Sequence, residues 1–365
     1  MRFCLVIAIG SLLTSCAAPE KSYLDARSPA EALYQAVERA AEDSKAGAIL
    51  EVDGCGLSFR KASGVANRKT GAPMPLDEQL RIGSIGKLYT AAVIHKLAED
   101  GLLDLDAPAT EYLTEGQVDG VPNSDATVRQ LLNHTSGVPD YYDTRSYLFT
   151  DWTQPITPER TLEVARRKSS TNAPGASYSY SNTNYQILGL IAERTSGESL
   201  GRLIVTRLLG PLNLIETRYN KEHPGGTIHG YGTELRSNAD TWKYAENTGA
   251  DSGITATSSD LSKFLRALFL DGGEFTSIGK EMLAEPIERD RPRQYAGPGA
   301  EILVSRSGTA FVGHTGDTFG YLTFAFAVPE YDATLVGQVT ANKPDILVEL
   351  LSSTTSALAD ACKSQ

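Results

Sequence analysis

The sequence predicts an α/β fold with an all-α part: an antiparallel sheet flanked by N- and C-terminal helices, with a helical domain inserted between its two halves. Three observations carry this. A capped helix and two strand-like runs occupy Ser28 to Ala66; a mainly helical pattern with long polar loops fills Val118 to Ile215; strand-like runs and a final helix return after His229. Helix followed by hairpin suggests an α/β layer with antiparallel strands. The expected boundaries are 28–115 for the first α/β part, 116–228 for the helical domain and 229–365 for the second α/β part.

Each element has a local reason. Ser28-Pro29-Ala30-Glu31 joins an N-cap, a proline at the first helical position and a capping-box glutamate, so a helix should run to about Ser44. Ala46 to Val52 and Leu57 to Ala66 read as strands around the turn Asp53-Gly54-Cys55-Gly56. Thr127 to Asn133, Pro158 to Lys168 and Tyr185 to Arg194 are the clearest helical pieces of the middle. Ser258 to Leu270 is a strongly amphipathic helix with Ser258 or Ser259 as its cap. Strands are expected at Glu301 to Ser305, Ala310 to Gly313, Tyr321 to Val328 and Thr334 to Val339, then a helix from about Pro344 to Cys362. The cleft between the α/β and helical parts is the default binding site.

The 365 residues are 41% hydrophobic, enough for one large core or two that share a boundary. Lys plus Arg number 34 against 45 for Asp plus Glu, a net charge of −11 with no basic run, which argues against nucleic acid as a partner. The first residues differ from the rest. Arg2 precedes an apolar run from Phe3 to Leu13, too short to span a ~30 Å hydrocarbon core. Residues 1–15 therefore read as a signal peptide. Leu13-Thr14-Ser15-Cys16 resembles the lipobox of bacterial lipoproteins, which makes Cys16 a lipidated N-terminus and residues 16–27 a polar tether; an ordinary signal peptide cut near Ala17 or Ala18 is the alternative. Ala17 in second place suits the periplasmic face of an outer membrane if the host has two membranes. A membrane reached through that lipid is thus one expected partner, and a monomer is expected.

With Cys4 in the removed peptide and Cys16 in the anchor, Cys55 and Cys362 remain. In an exported protein they can form one disulfide if the first hairpin and the last helix are neighbours; two free thiols are the alternative. No clustering of N/S ligands suggests a metal site, and no cofactor is expected.

The chemistry centres on Arg81 to Ile94. Glycine precedes Ser84 and good helix formers follow it, so Ser84 should sit in the first turn, where unpaired N–H groups and the positive dipole end favour an oxyanion. Lys87, three residues on, emerges on the same face. A serine hydroxyl needs a base, and a desolvated lysine can be one. The pattern Ser-x-x-Lys is weak alone. Ser58 to Lys61 repeats it within an expected strand, where positions three apart face opposite sides. Ser277 to Lys280 repeats it in an expected loop after Asp271-Gly272-Gly273.

Order makes the signal specific. Ser84-Ile85-Gly86-Lys87 is followed by Tyr180-Ser181-Asn182 and then by His314-Thr315-Gly316, and Thr127 to Pro139 and Gly253 to Leu268 add supporting likeness. These residues resemble the serine β-lactamase/DD-peptidase superfamily, closest to class C β-lactamases and the DD-carboxypeptidases and esterases related to them. Lys69-Thr70-Gly71 matches the third motif but precedes Ser84 in an apparent turn, and reads as coincidence.

The resemblance implies a β-lactamase/transpeptidase-like fold, with Ser84 as nucleophile and Tyr180 sharing proton transfer with Lys87. It further implies that Asn182 orients Lys87 and binds a substrate amide, that the N–H groups of Ser84 and Asp317 form the oxyanion hole, and that His314, Thr315 and Gly316 line the substrate. Against these stand a packing role for Tyr180 and for His314. His134 reads as capping a helix below the cleft, His95 as partly exposed, and His223 and His229 as loop residues; Tyr141, Tyr142 and Trp242 wall the cleft or pack locally. No Gly-x-Ser-x-Gly elbow is present.

Two departures bear on substrate. His314 stands where class C β-lactamases carry lysine, so a substrate carboxylate is attracted less. Asp317 would repel an anionic end if it faced the cleft, and Arg306 or Arg293 could supply a compensating charge. The expected function is hydrolysis through an acyl-Ser84 intermediate, on a D-amino-acid peptide or on a small amide or ester. The alternatives are a class C-like β-lactamase or carboxylesterase, and a non-catalytic penicillin-binding lipoprotein.

Overall fold

The computed structural model describes residues 28–142, 154, 156–219, 227–232, 239–242 and 249–364. The expected signal peptide, tether and Cys16, together with His223, lie outside the described residues.

Helix α1 (Pro29–Ser44) starts where Ser28 Oγ accepts the Glu31 N–H at 3.2 Å, and ends at Lys45 in the left-handed region, φ 55°. Strands β1 (Gly47–Gly54) and β2 (Leu57–Asn67) then form the expected hairpin, its two turn residues Cys55 and Gly56 both at positive φ. With β3 (Ala72–Pro73), β7 (Ile287–Glu288), β8 (Gln294–Ala296), β9 (Glu301–Val304), β10 (Ala310–Thr318), β11 (Tyr321–Val328) and β12 (Ala333–Val339) they make a nine-stranded sheet. Its order is β3-β2-β1-β12-β11-β10-β9-β8-β7, with neighbours antiparallel. The first strand pairs with the last, Leu50 opposite Gly337, so both ends of the described chain build the middle of the sheet.

The period of two along the strands sorts the faces. Leu322, Phe324, Phe326 and Val328 of β11 pack with Leu33 and Val37 of α1 and with Leu347, Leu351 and Leu358 of the final helix. The intervening Ala325 and Ala327 are small, and against them lies the second core with Phe264 and Leu268. One face is thus closed by the terminal helices; the other carries the remaining helices and the site.

Among the described residues the other helices are α2 (Gly86–Glu99), α3 (Val128–Leu132), α4 (Pro158–Arg166), α5 (Asn182–Ser196), α6 (Leu200–Ile204), α7 (Ser258–Phe269), α8 (Thr276–Met282) and α9 (Pro344–Lys363). A small second sheet joins β4 (Leu80–Arg81), β6 (Ile254–Ala256) and β5 (Thr217–Tyr219), the last of these just past the stretch read as mainly helical. Among the described residues no helix is long and apolar enough to cross a membrane.

Several local expectations are corrected. Thr257, not Ser258 or Ser259, caps α7, accepting the Asp260 N–H at 3.2 Å, while Ser258 donates to the buried Glu51 carboxylate at 2.8 Å. Ser277 and Lys280 stand on α8 instead of in a loop, both exposed to solvent. Helix α5 begins three residues early, at Asn182, and β10 runs five residues past Gly313. His95 is buried, its Nε2 2.6 Å from Pro298 O, because all but the last turn of α2 is enclosed by neighbouring elements.

Cys55 and Cys362 are joined by a disulfide, Cα atoms 5.0 Å apart, which ties the first hairpin to the last helix across 307 residues. Replacing both with serine is expected to lower the unfolding free energy by about 2–4 kcal/mol. Urea denaturation checks this, with the turnover number left unchanged, since the bond sits on the sheet face away from the site.

Candidate active site

Ser84 is placed by a sharp change of direction. Strand β4 ends at Arg81, Ile82 is tied by its N–H to Ile254 O at 3.3 Å, and a 3₁₀ turn, Gly83–Ile85, runs straight into α2. Two glycines let this turn lie against β10. Gly83 is at φ 54°, and a Cβ there would stand 2.8 Å from Asp317 N; a Cβ on Gly316 would meet Ile82 O at 1.9 Å. The Ser84 turn and the Gly316-Asp317 segment are therefore in backbone contact, which no side chain at either position allows.

Lys87, one turn into α2, is fully buried. A lysine nitrogen without water must find acceptors in the protein. Nζ lies 3.1 Å from Ser84 Oγ, 2.7 Å from Asn182 Oδ1 and 3.1 Å from Asp251 O. From the other side the Tyr180 hydroxyl donates to Ser84 Oγ at 3.0 Å. With two carbonyl oxygens fixing two positions on Nζ, the third faces Ser84. As an ammonium it is a donor to a developing alkoxide; as an amine it is the lone pair that takes a proton.

Tyr180 rests on a helix cap. Helix α3 ends in a Schellman arrangement: the His134 N–H bonds Leu131 O at 3.4 Å and the Thr135 N–H bonds Gln130 O at 2.9 Å, with His134 at φ 60°. His134 O accepts the Ser179 N–H at 2.8 Å and its Nδ1 accepts the Ser181 N–H at 3.2 Å, so one residue grips the chain on both sides of Tyr180. The imidazole stacks on the Tyr180 ring at 4.4 Å. Burial holds His134 well below its ordinary pKa, with Lys87, His314 and Arg289 adding to the effect, so it is neutral and Nδ1 is free to accept.

Asn182 is gripped in turn by Asp140. The carboxylate accepts the Asn182 backbone N–H at 3.1 Å and lies 3.2 Å, by each oxygen, from the side-chain Nδ2. Burial pushes the Asp140 carboxyl up to about 6, against the pull of the Tyr142 and Asn182 N–H groups and of Lys87. A carboxyl raised in the folded state stabilises the fold at low pH, and that contribution falls as pH rises from about 4 to about 6. Asp251 is also held: its carboxylate accepts from Gln186 Nε2 at 2.5 Å and from the Tyr141 hydroxyl at 2.9 Å, fixing the carbonyl that Lys87 uses.

The third motif has its own buried charges. Glu301 stands beside Gly313 in the β9–β10 register; Arg289 Nη1 is 2.9 Å from its Oε1, His314 Nε2 is 3.7 Å from the same atom, and the Thr315 hydroxyl donates to Oε2 at 3.4 Å. Burial lowers the His314 pKa, Lys87 and Arg289 assist, and Glu301 opposes. Burial works to raise Glu301, but His314, where acid protonates it, and Arg289 outweigh it and hold the carboxyl below its ordinary value. The group is thus an Arg289–Glu301 ion pair beside a neutral imidazole.

The expected residues divide accordingly. Ser84, Lys87, Tyr180 and Asn182 converge on two atoms, and Gly316 and Asp317 flank Ser84. His314 turns Nε2 toward Glu301 while its Nδ1 lies 2.5 Å from Thr315 O, and the Thr315 hydroxyl donates to Glu301. Asp317 is exposed, on a strand otherwise buried from Phe311 to Gly316. Arg306 lies in the turn between β9 and β10, and the Arg293 carbonyl accepts from Val304 beside it; both are at the opposite end of β10 from the motif, and the cation found there is Arg289. Tyr141 holds Asp251, while Trp242 stacks on His229 at 4.7 Å. Lys69-Thr70-Gly71 is an exposed turn after β2. Among the described residues no group of His, Cys, Asp or Glu is placed to hold a metal ion. Asp140, Asp251, Arg289 and Glu301 belong to no sequence motif; the one local signal is the Pro139-Asp140 turn just before Tyr141.

This fold and this site define a serine hydrolase of the β-lactamase/DD-peptidase superfamily. The chain belongs to the Beta-lactamase family, whose profile matches residues 35–353. It is 26% identical over 311 residues to penicillin-binding protein 4* of Bacillus subtilis, which covers 80% of this chain and 67% of that protein. It is 32% identical over 175 residues to the D-aminopeptidase of a Cereibacter sphaeroides strain, covering 47% of this chain and only 33% of the relative. The crystal structure of a D-stereospecific amidohydrolase from a Streptomyces species superposes with a TM-score of 0.77 at 27% identity, over 88% of this chain and 97% of that one.

Gly316→Ala is expected to force Ile82 and the Ser84 turn away from β10, cutting kcat/KM by roughly 100-fold or more, the scale of losing an oxyanion donor. Steady-state kinetics check it, with Gly71→Ala, whose Cβ meets nothing within 4 Å, as a control away from the site.

Proposed function

We propose that this protein hydrolyses amides and peptides of D-amino acids by acyl transfer to Ser84 and then to water. The observation that carries the reading is the pair of polar contacts on one oxygen: Lys87 Nζ and Tyr180 OH both lie within 3.1 Å of Ser84 Oγ.

Ser84 Oγ attacks the substrate carbonyl carbon while its proton passes to Lys87, and the carbonyl oxygen becomes an oxyanion facing the Ser84 and Asp317 N–H groups. The C–N bond then breaks as the leaving nitrogen takes a proton relayed through Tyr180. Water adds to the acyl-Ser84 ester, gives its proton to the same groups, and releases the acid with Ser84 restored. Asn182 keeps Lys87 in register through its side-chain oxygen.

The substrate class rests on charge and on the relatives. With His314 neutral and Arg289 paired to Glu301, the third motif offers a substrate carboxylate little attraction, which favours a neutral amide end over the carboxylate of a β-lactam. Two relatives are named for D-stereospecific amide or peptide cleavage. We propose further that Cys16 carries a lipid anchor that holds the enzyme at a membrane; labelling with a lipid precursor, lost in Cys16→Ser, tests that part alone.

Rates on D- and L-phenylalanine amide, an acyl-D-Ala-D-Ala peptide, a chromogenic cephalosporin and a short-chain nitrophenyl ester test the substrate class. The expected result is kcat/KM for the D-amide roughly 100-fold above the L-amide and the cephalosporin, with Ser84→Ala about 10⁴-fold lower. Equal rates on both enantiomers, or preferred turnover of the cephalosporin, would reject the substrate class.

A further inference from the structure

The amide of Asn182 has two chemically different ends, and only one serves Lys87. Nζ is held by the oxygen, Oδ1, at 2.7 Å. The nitrogen end lies 3.2 Å from both oxygens of Asp140, and an ionised carboxylate can only accept. Reversing the amide would set its oxygen against the carboxylate and its N–H groups against those of Lys87, two repulsive contacts in place of two attractive ones.

Asp140 is itself braced. Its carboxylate takes the backbone N–H of Asn182, the first residue of α5, where the N-cap Ser181 provides no side-chain bond. It also takes the Tyr142 N–H at 3.1 Å. Thr183 locks the turn to the helix, donating to Pro139 O at 2.7 Å and accepting the Tyr141 N–H at 2.9 Å. A rigid backbone and a single allowed amide orientation leave Lys87 one arrangement.

We propose that Asp140 is a positioning residue for the reaction at Ser84: its negative charge fixes which end of Asn182 meets Lys87, and loss of that charge disarms Ser84. The proposal rests on the reading of Ser84 as the attacking group. A protonated Asp140 offers an O–H that can donate to Asn182 Oδ1, which makes the reversed amide acceptable and removes the acceptor from Lys87. Among the described residues the charged and titratable groups around it are Lys87 on α2, Tyr141 and Tyr142 in its own turn, Lys168 after α4, and Asp251. Lys168 Nζ lies 2.5 Å from Asp140 O, on the backbone side, and Asp251 is reached through the Tyr141 hydroxyl. Burial raises the carboxyl to about 6 against the pull of the Tyr142 and Asn182 N–H groups and of Lys87, so the switch falls in an accessible pH range.

The test uses a fluorophosphonate, whose phosphorus is attacked by an activated serine with loss of fluoride, so Ser84 is read without assuming a substrate. Labelling that persists in Ser84→Ala would reject the nucleophile reading itself, separately from the role of Asp140. In the wild type the labelling rate should fall through an acid limb near pH 6. Asp140→Asn should slow labelling roughly 10- to 100-fold at pH 7.5 and abolish that limb. Asn182→Ala should slow it similarly, and Asp140→Asn added to Asn182→Ala should cost less than about twofold more, as coupled residues do. Labelling of Asp140→Asn within threefold of wild type with the limb intact, or effects that multiply in the double variant, would overturn the proposal. If Asp140→Asn does not fold by near-ultraviolet circular dichroism, Asn182→Ala decides alone: loss of the limb supports the role, and a retained limb refutes it.

Discussion

A lysine nitrogen sealed from water sets the terms for this site. Lys87 has no solvent exposure, and burying an amine or ammonium without partners is far costlier than burying any neutral group. Three separate stretches of chain answer it, with Ser84 from the turn before α2, Asn182 from the start of α5 and Asp251 from the segment before β6. Each of those stretches must be held in turn. The close approaches of Gly83 to Asp317 and of Gly316 to Ile82 hold the first, Asp140 the second, and Gln186 with Tyr141 the third. The packing of the helices on the sheet is thus tied, through one atom, to the geometry around Ser84 Oγ.

A second group of buried charges lies beside Tyr180, whose ring is 6.5 Å from that of His314. Arg289 and Glu301 neutralise each other beside His314, and the Thr315 hydroxyl is drawn to Glu301. In the proposed reaction the positive charge nearest the acyl group is then Lys87, at the chemical centre, while the substrate end meets a neutral imidazole. Asp317, exposed at the edge of the strand, adds no attraction for an anion. The preference proposed for neutral D-amides stems from this separation of charge.

Much of the fold was legible because its signals are local. The cap at Ser28, the Gly-rich turn around Cys55 and the alternation of β11 each act within a few residues, and Tyr321–Val328 was placed to the residue. Boundaries slipped where a distant partner decides. Asn182 starts α5 because Asp140, 42 residues earlier, takes its N–H; β10 extends past Gly313 because β11 pairs with it through Thr318. His95 is buried by the body packed over α2, which no periodicity within the helix reveals. The residues that meet at Ser84 were legible as ordered motifs, whereas the groups that hold them in place carry no motif. Asp140 belongs to no motif and Glu301 reads only as the start of a strand; their roles emerge where the chain brings them beside Asn182 and His314.

The central claim is that a substrate acyl group rests covalently on Ser84 during turnover. Rapid acid quench during hydrolysis of a slowly deacylated D-amino-acid ester, followed by intact-mass measurement and peptide mapping, tests it most directly. The predicted result is an enzyme heavier by one acyl group, the added mass on the peptide that contains Ser84, decaying as product appears. Full turnover with that peptide unmodified at every quench time, or the acyl group on another residue, would contradict it.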